Sequence, residues 1–291
     1  MIYLKLLLTA LFWGGTFIAG RQVSQHLDSF TIAFLRFAMA SVLLLLLTWK
    51  TVGKLPVLPR RQILPVVLLG MTGIFLYNAL FFSGLRRIEA SRAALIVATC
   101  PAFIAITTVL FLRERLRFVQ MAGIPLSVLG AGVVISQGNL PRLLSGGIGL
   151  GEFFILGCVL SWTAYSLIGK SVMCHLSPLV AVCYSSVIGA AALALPAALE
   201  NPVQNLARAG WVDWVSIAYL AVFGTVLGFV WFYQGVQLIG TTRAGLFINF
   251  VPISAVVLGA LILKEPITWS LAVGALFVLS GVCLTNRAAR T

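Results

Sequence analysis

Long apolar runs separated by short polar breaks dominate the chain. Ten of these runs approach the roughly 20 residues needed to cross a bilayer as a helix. They are 3–20, 30–49, 63–84, 92–112, 118–137, 148–169, 178–199, 212–238, 242–263 and 267–285. The two longest breaks, near 50–62 and 200–211, contain proline, and no break has room for a soluble domain. Small residues recur at one-turn spacing, as at Gly224 and Gly228 or at Gly123, Ser127 and Ala131. Such spacing lets helices approach closely in lipid. The pattern predicts an all-α integral membrane protein of ten transmembrane helices. Lys5 followed by apolar residues resembles a signal peptide, but it reads better as the start of the first span, because spans continue along the rest of the chain.

Composition supports lipid as the solvent. The chain is 60% hydrophobic and 9% charged, against about 25% charged in soluble domains. A net charge of +13 suggests nucleic acid in a soluble protein, but here the basic residues are scattered and no nucleic-acid motif is present. With the N-terminus inside, twelve Lys and Arg fall on the cytoplasmic side. Seven fall outside, or eight with Arg36 just inside the second helix. That excess predicts both termini in the cytoplasm. The five cysteines include no CxxC pair, so neither a metal site nor a disulfide framework is expected. No cofactor is implied, and the oligomeric state is left open.

The chain repeats itself. GLRRIEASRAALIVATCPAF from Gly84 matches GVQLIGTTRAGLFINFVPIS from Gly235, pairing Arg92 with Arg243 and Pro101 with Pro252 at a spacing of 151. Glu114 pairs with Glu265 at the same spacing, and Trp13 pairs with Trp162 at a spacing of 149. Each half, 1–138 and 148–287, therefore holds five helices. Five is odd, so the second half enters the membrane from the opposite side. Inverted repeats of this kind give alternating-access carriers two interchangeable gates around a midplane site.

The early LFWGGTFIAGR, the SRAALIVATCPAF with LRER after it, and GTTRAGLFINFVPISAVVLGALILKEP together resemble the EamA-type branch of the drug/metabolite transporter superfamily. The likeness covers nearly the whole chain and is strongest to YddG-type exporters of aromatic and other neutral amino acids. It implies a carrier that exports amino acids across the inner membrane. The alternatives are export of other small metabolites or cationic drugs. A channel or a membrane enzyme is a weaker reading, since no histidine lies in a span to activate a nucleophile.

Candidate residues follow from position. Pro101 and Pro252 lie about ten residues into helices 4 and 9 and free the carbonyls of Val97 and Ile248. They are the candidate hinges, with Thr99 and Asn249 beside them. Trp13, Tyr77, Phe81, Trp162, Tyr165 and Trp231 fall in the middle of spans, where a Trp N–H or Tyr O–H needs a polar neighbour. Asn78 and Gln234 add amides. As a set, these ten residues suggest a pocket for an apolar side chain and a zwitterionic head. Tyr77, Asn78, Trp162 and Trp231 are expected to share one water-accessible space.

No Asp or Glu falls mid-span, so transport is expected to persist without a proton gradient. The lack of interior Lys and Arg argues against phosphate-bearing substrates. Arg92 and Arg243 at helix N-termini, with Glu114 and Glu265 at the C-termini, oppose their own helix dipoles. Antiparallel packing of helices 4 and 9 predicts gate pairs Arg92–Glu265 and Arg243–Glu114. The competing reading puts each Arg on the carbonyl end of the preceding helix and each Glu on a neighbouring loop Arg.

Overall fold

The computed structural model describes residues 1–112, 118–139 and 148–285. Every regular element among them is helical. The major helices are α1 Ile2–Val23, α2 Ser29–Val52, α3 Arg60–Leu85, α4 Ala90–Val97 continued by Cys100–Leu112, and α5 Phe118–Ser136. They are followed by α6 Leu150–Val172, α7 Pro178–Leu199 and α8 Trp211–Ile239. The chain ends in α9, Thr241–Ile248 continued by Phe250–Leu258 and Gly259–Leu263, and α10, Trp269–Thr285. A short helix, Pro202–Arg208, lies between α7 and α8. Among the described residues nine helices are long and apolar enough to span a bilayer, and α10 is a shorter apolar helix. Large apolar side chains such as Leu46, Leu129, Leu160, Leu195, Leu261 and Leu276 remain exposed, as helix faces turned to lipid require.

The helices end where their residues allow. Gly53, at φ 77°, closes α2 in the left-handed region. Ser177 precedes Pro178 at the start of α7, and its Oγ accepts from the Val180 N–H. At the expected proline positions two helices are interrupted. α4 breaks at Ala98–Thr99, just before Pro101, and α9 breaks at Asn249, just before Pro252. A third deviation has no counterpart in the sequence reading. α3 widens to a π-helix over Gly70–Leu76, α8 over Leu220–Leu227 and the end of α9 over Gly259–Leu263; the first two correspond in place. These two segments contain Gly73 and Gly224, which are repeat partners.

Packing follows a scheme that maps onto itself when α1–α5 are exchanged for α6–α10. α2 packs on α7 and α5 on α10; α1 packs on α8 and α9, and α6 on α3 and α4. α5 and α10 cross through small residues. A Cβ on Gly281 would lie 2.5 Å from the Ser127 backbone nitrogen and 2.6 Å from the Gly123 carbonyl oxygen. Backbone cannot yield as a side chain does, so Gly281→Leu should force the pair apart. Overpacking typically costs about 1–3 kcal/mol. The expected result is a lower midpoint in thermal denaturation of the detergent-solubilised protein; an unchanged midpoint would refute this account of the contact.

The two ends of the bundle differ. The end where α1 begins is called terminal and the other distal. At the distal end Ala90–Val97 of α4 packs on Phe250–Leu258 of α9 and on α1. Both parts of α4 pack on α5, α6 and α10, but toward the terminal end Cys100–Leu112 leaves α9 and α1, whereas Thr241–Ile248 packs on α8 and α1. The two interrupted helices thus converge distally and diverge toward the terminal end.

Candidate functional site

The interior polar chemistry centres on Arg36, one-third of the way along α2 and only 8% exposed. Its Nε and Nη2 donate to Thr225 Oγ1 at 3.3 and 3.2 Å, and its Nη1 donates to Asn78 Oδ1 at 3.1 Å. The guanidinium lies 5.0 Å from the centre of the Phe37 ring. Both acceptors belong to the π-helical segments or their edges. Asn78 Nδ2 donates to the carbonyl oxygens of Ile74 at 2.8 Å and Gly73 at 3.4 Å. Thr225 Oγ1 donates to the Leu220 carbonyl at 3.1 Å, and Trp13 Nε1 to that of Gly224 at 3.0 Å. A π-turn leaves carbonyls poorly matched to the i→i−4 ladder. Here side chains supply the missing donors, and Arg36 ties α3 to α8. The expectation of no interior cation is therefore corrected. Arg36 sits eight residues into α2, inside the helix rather than at its edge, because Asn78 and Thr225 meet it there.

The predicted aromatic residues fall into groups. Tyr77 stacks on Phe81 with centroids 5.7 Å apart and meets Trp162 at 5.4 Å, and Trp162 meets Tyr165 at 5.1 Å. Gly73 makes room for Tyr165, since a Cβ there would lie 2.1 Å from the Tyr165 ring. Phe81 and Tyr165 are buried, whereas Tyr77 and Trp162 are half-buried. Trp13 packs against Phe229 and Phe232 of α8. Trp231 belongs to another group, 5.6 Å from Phe12. Lys5 Nζ donates to Gln234 Oε1 at 3.0 Å and lies 5.9 Å from the Trp231 ring. The structure thus joins Tyr77, Phe81, Trp162 and Tyr165 to one another, and Asn78 to Arg36. It gathers Trp231 and Gln234 around Lys5, nearer the terminal end.

At the helix breaks, Thr99 is buried and its Oγ1 donates to the Ile96 carbonyl at 2.7 Å. Asn249 Nδ2 meets Cys283 Sγ of α10 at 3.7 Å. Pro101 is half-buried and Pro252 buried.

The expected gate pair Arg92–Glu265 is not formed. The two residues do share the distal end, but each has another partner. Arg92 Nη2 meets Glu152 Oε1 of α6 at 2.5 Å and the Ile135 carbonyl at 3.3 Å. Glu265 instead caps α4. Its Oε1 accepts from Ala90 N at 2.7 Å, and its Oε2 from Ser91 N at 2.9 Å and Ser91 Oγ at 2.5 Å. Lys264, at φ 55°, turns the chain off the end of α9 toward this position. Gly259 leaves space for it, since a Cβ there would lie 2.5 Å from Ser91 Oγ and 2.8 Å from Glu265 Oε2. The unpaired N–H groups and positive dipole at the start of α4 hold the carboxylate more specifically than a flexible arginine would. Arg243 is exposed. Its expected partner Glu114 lies outside the described residues.

Distal carboxylates recur in this role. Glu200, at the end of α7, caps α2 by accepting from Phe30 N at 3.1 Å, Thr31 N at 2.7 Å and Thr31 Oγ1 at 2.9 Å. Asp213 accepts from Gly210 N at 2.9 Å and meets His26 Nδ1 at 2.9 Å. Asp28 pairs with Arg86 at 2.7 Å. Burial pushes the Asp28 carboxyl up, but hydrogen bonds from Arg86 and Asn205 and the charges of Arg86 and Arg208 outweigh it and hold the carboxyl below its ordinary value.

Known proteins resemble this chain along its length. It is 30% identical over 281 residues to the uncharacterized transporter YyaM of Bacillus subtilis (strain 168), covering 97% of this chain and 92% of that one. It is 28% identical over 294 residues to an uncharacterized transporter of Archaeoglobus fulgidus, covering 98% of each. A probable terminal-alkyne amino-acid exporter of Streptantibioticus cattleyicolor is 29% identical over 289 residues, with 97% of this chain and 92% of that one aligned. A solved crystal structure superimposes with a TM-score of 0.67 at 17% identity, covering 98% of this chain and 97% of the other, so the two share a fold. The sequence profile of the EamA-like transporter family matches residues 1–136 and 149–287. With apolar spanning helices along its length and that profile matched over both halves, this chain is a multi-pass membrane transporter belonging to the EamA-like transporter family.

Proposed function

We propose that the protein exports aromatic and other neutral amino acids from the cytoplasm by alternating access, through two inverted five-helix repeats at 1–138 and 148–287. The observation that carries this reading is the matched interruption of α4 and α9 before Pro101 and Pro252, in helices that converge distally and diverge terminally. A carrier of this design holds one gate shut while the other opens, and interrupted helices give each gate a bending point. The self-matching packing of the two halves and the paired π-helical segments support the same symmetry.

The substrate class rests on the cluster of Tyr77, Phe81, Trp162 and Tyr165, which offers ring faces to an apolar or aromatic side chain, and to an ammonium through cation–π contact. Trp13, Thr99, Trp231, Gln234 and Asn249 complete the proposed solute path. The Streptantibioticus relative's name supports amino-acid cargo. Buried Arg36 weighs against cationic drugs, because it adds positive charge to the interior. The terminal end carries the larger share of Lys and Arg. We therefore place both termini in the cytoplasm of the inner membrane, with the closed distal end facing outward.

The test is counterflow. Liposomes containing purified protein and loaded with unlabelled phenylalanine should accumulate labelled phenylalanine, with no pH gradient imposed. Failure to accumulate any of a panel of aromatic and neutral amino acids would refute the substrate class. Strict dependence on a proton gradient would refute uncoupled transport.

A further inference from the structure

We infer that Arg36 is the seat of the substrate's carboxylate, with its guanidinium supplying the charge that recognises an amino acid's anionic end. This rests on the amino-acid reading above and adds to it the group that selects the carboxylate.

Placing a cation within a span is costly and is normally offset by a nearby anion. Arg36 has no such anion among the described residues. Both of its hydrogen-bond acceptors are neutral: the Thr225 hydroxyl accepts two bonds and the Asn78 amide oxygen one. Of the distal carboxylates, Glu89 stands at the start of α4 with no hydrogen bond to Arg36, and five others are committed elsewhere. Asp28 is on Arg86, Glu152 on Arg92 and Asp213 on His26, while Glu200 and Glu265 cap α2 and α4. Among the described residues, the protein therefore holds a buried positive charge with no carboxylate bonded to it. A passing solute with one carboxylate supplies that anion.

The geometry suits that ligand. Of the five N–H groups of a guanidinium, three are used: Nε and one on each terminal nitrogen. One remains on each terminal nitrogen, and either can donate to a carboxylate oxygen. Residue 224 is glycine, which lets Thr16 pack close: a Cβ there would lie 2.6 Å from Thr16 Cγ2 and 3.6 Å from Arg36 Nη2. Asn78 follows Tyr77 in sequence, so the cationic seat adjoins the ring cluster of Tyr77, Phe81 and Trp162. A zwitterion fits with its carboxylate on Arg36 and its side chain on the rings. A phosphate dianion would leave one charge unmatched.

The arrangement also couples binding to movement. Asn78 belongs to the first half of the chain and Thr225 to the second, so a carboxylate drawing on the guanidinium acts on the joint between two widened helices. π-Helical turns are frequent at functional sites of this kind.

The test is competition against phenylalanine counterflow by phenylalanine, 3-phenylpropionate, phenylalaninamide and phenethylamine, read beside thermal stabilisation of purified protein by the same compounds. In the wild type the two carboxylates should compete at least about tenfold better than the amide and the amine. Arg36→Gln should abolish that preference, and Arg36→Lys should retain part of it. Because Arg36→Gln removes a buried bridge and can impair folding, Asn78→Asp provides the second arm. It places a fixed carboxylate on the guanidinium, so melting temperature should hold or rise while carboxylate competition is lost. Retained carboxylate preference in folded Arg36→Gln or in Asn78→Asp would overturn the proposal, as would indifference to the carboxylate in wild type. If wild type neither carries nor is stabilised by any amino acid, the amino-acid reading fails. In that case stabilisation by 3-phenylpropionate that is lost in Arg36→Gln still supports the anion seat, and its absence overturns it.

Discussion

Glu265→Gln should open the distal end of the bundle. In the closed arrangement one carboxylate accepts three hydrogen bonds at the start of α4, two from backbone N–H groups and one from the Ser91 hydroxyl. Hydrogen bonds to a charged group contribute about 1.5–3 kcal/mol each, against roughly half that for neutral partners. Glutamine removes the charge that the helix dipole favours. It also turns an NH2 group toward one of the backbone donors, so at least one bond becomes a repulsion. A loss of about 1.4–3 kcal/mol moves a two-state equilibrium by one to two orders of magnitude. Cys100, which begins the second part of α4 and is 5% exposed, reports the change. Its maleimide labelling in purified protein, followed by peptide mapping, should rise about tenfold or more. Glu200→Gln is the control. It removes an equivalent cap, but from α2, which packs on α7, outside the α4–α9 junction. It should lower stability without exposing Cys100. Equal labelling in Glu265→Gln and wild type would show that this cap does not hold the distal end closed.

The features legible in the sequence were those written in long patterns. Spans of apolar residues place helices because a bilayer offers backbone groups no other partner. Pro101 and Pro252 mark interruptions because a missing N–H leaves its mark at a fixed offset. Tyr77 and Trp162 meet as midplane aromatics on neighbouring helices, but Trp231 joins a separate group around Lys5, a sorting that depends on rotation about the helix axis. Arg36 was counted among the residues of one face, because its depth depends on partners from α3 and α8, which are 42 and 189 residues away. The π-turns themselves have no sequence signature beyond the glycines Gly73 and Gly224. Glutamates at the ends of α7 and α9 oppose their own helix dipoles, and the neighbouring helix N-termini that they cap explain them.

That reassignment changes what a charge swap at Arg92 should do. Arg92 and Glu152 have side chains 12% and 9% exposed, so the pair is shielded from solvent and screened little by salt. Breaking a buried pair by removing one partner typically costs about 3–5 kcal/mol, mostly because the remaining charge loses its compensation. Arg92→Glu is harsher, since it sets a second carboxylate against Glu152 and places it within the first turn of α4 close to Glu265. The expected result is a large loss of folded, membrane-inserted protein. Arg92→Glu with Glu152→Arg restores opposite charges at the same two positions and should recover a substantial part of both stability and transport. Arg92→Glu with Glu265→Arg should recover nothing. It leaves Glu152 facing a like charge and replaces the anion on the α4 N-terminus with a cation, which the dipole disfavours. Thermal melting of all the single and double variants forms two double-mutant cycles, and a coupling energy well above experimental scatter is expected only for Arg92 with Glu152. Coupling of Arg92 to Glu265 instead would mean that the two do form the distal gate pair and that the cap on α4 is secondary.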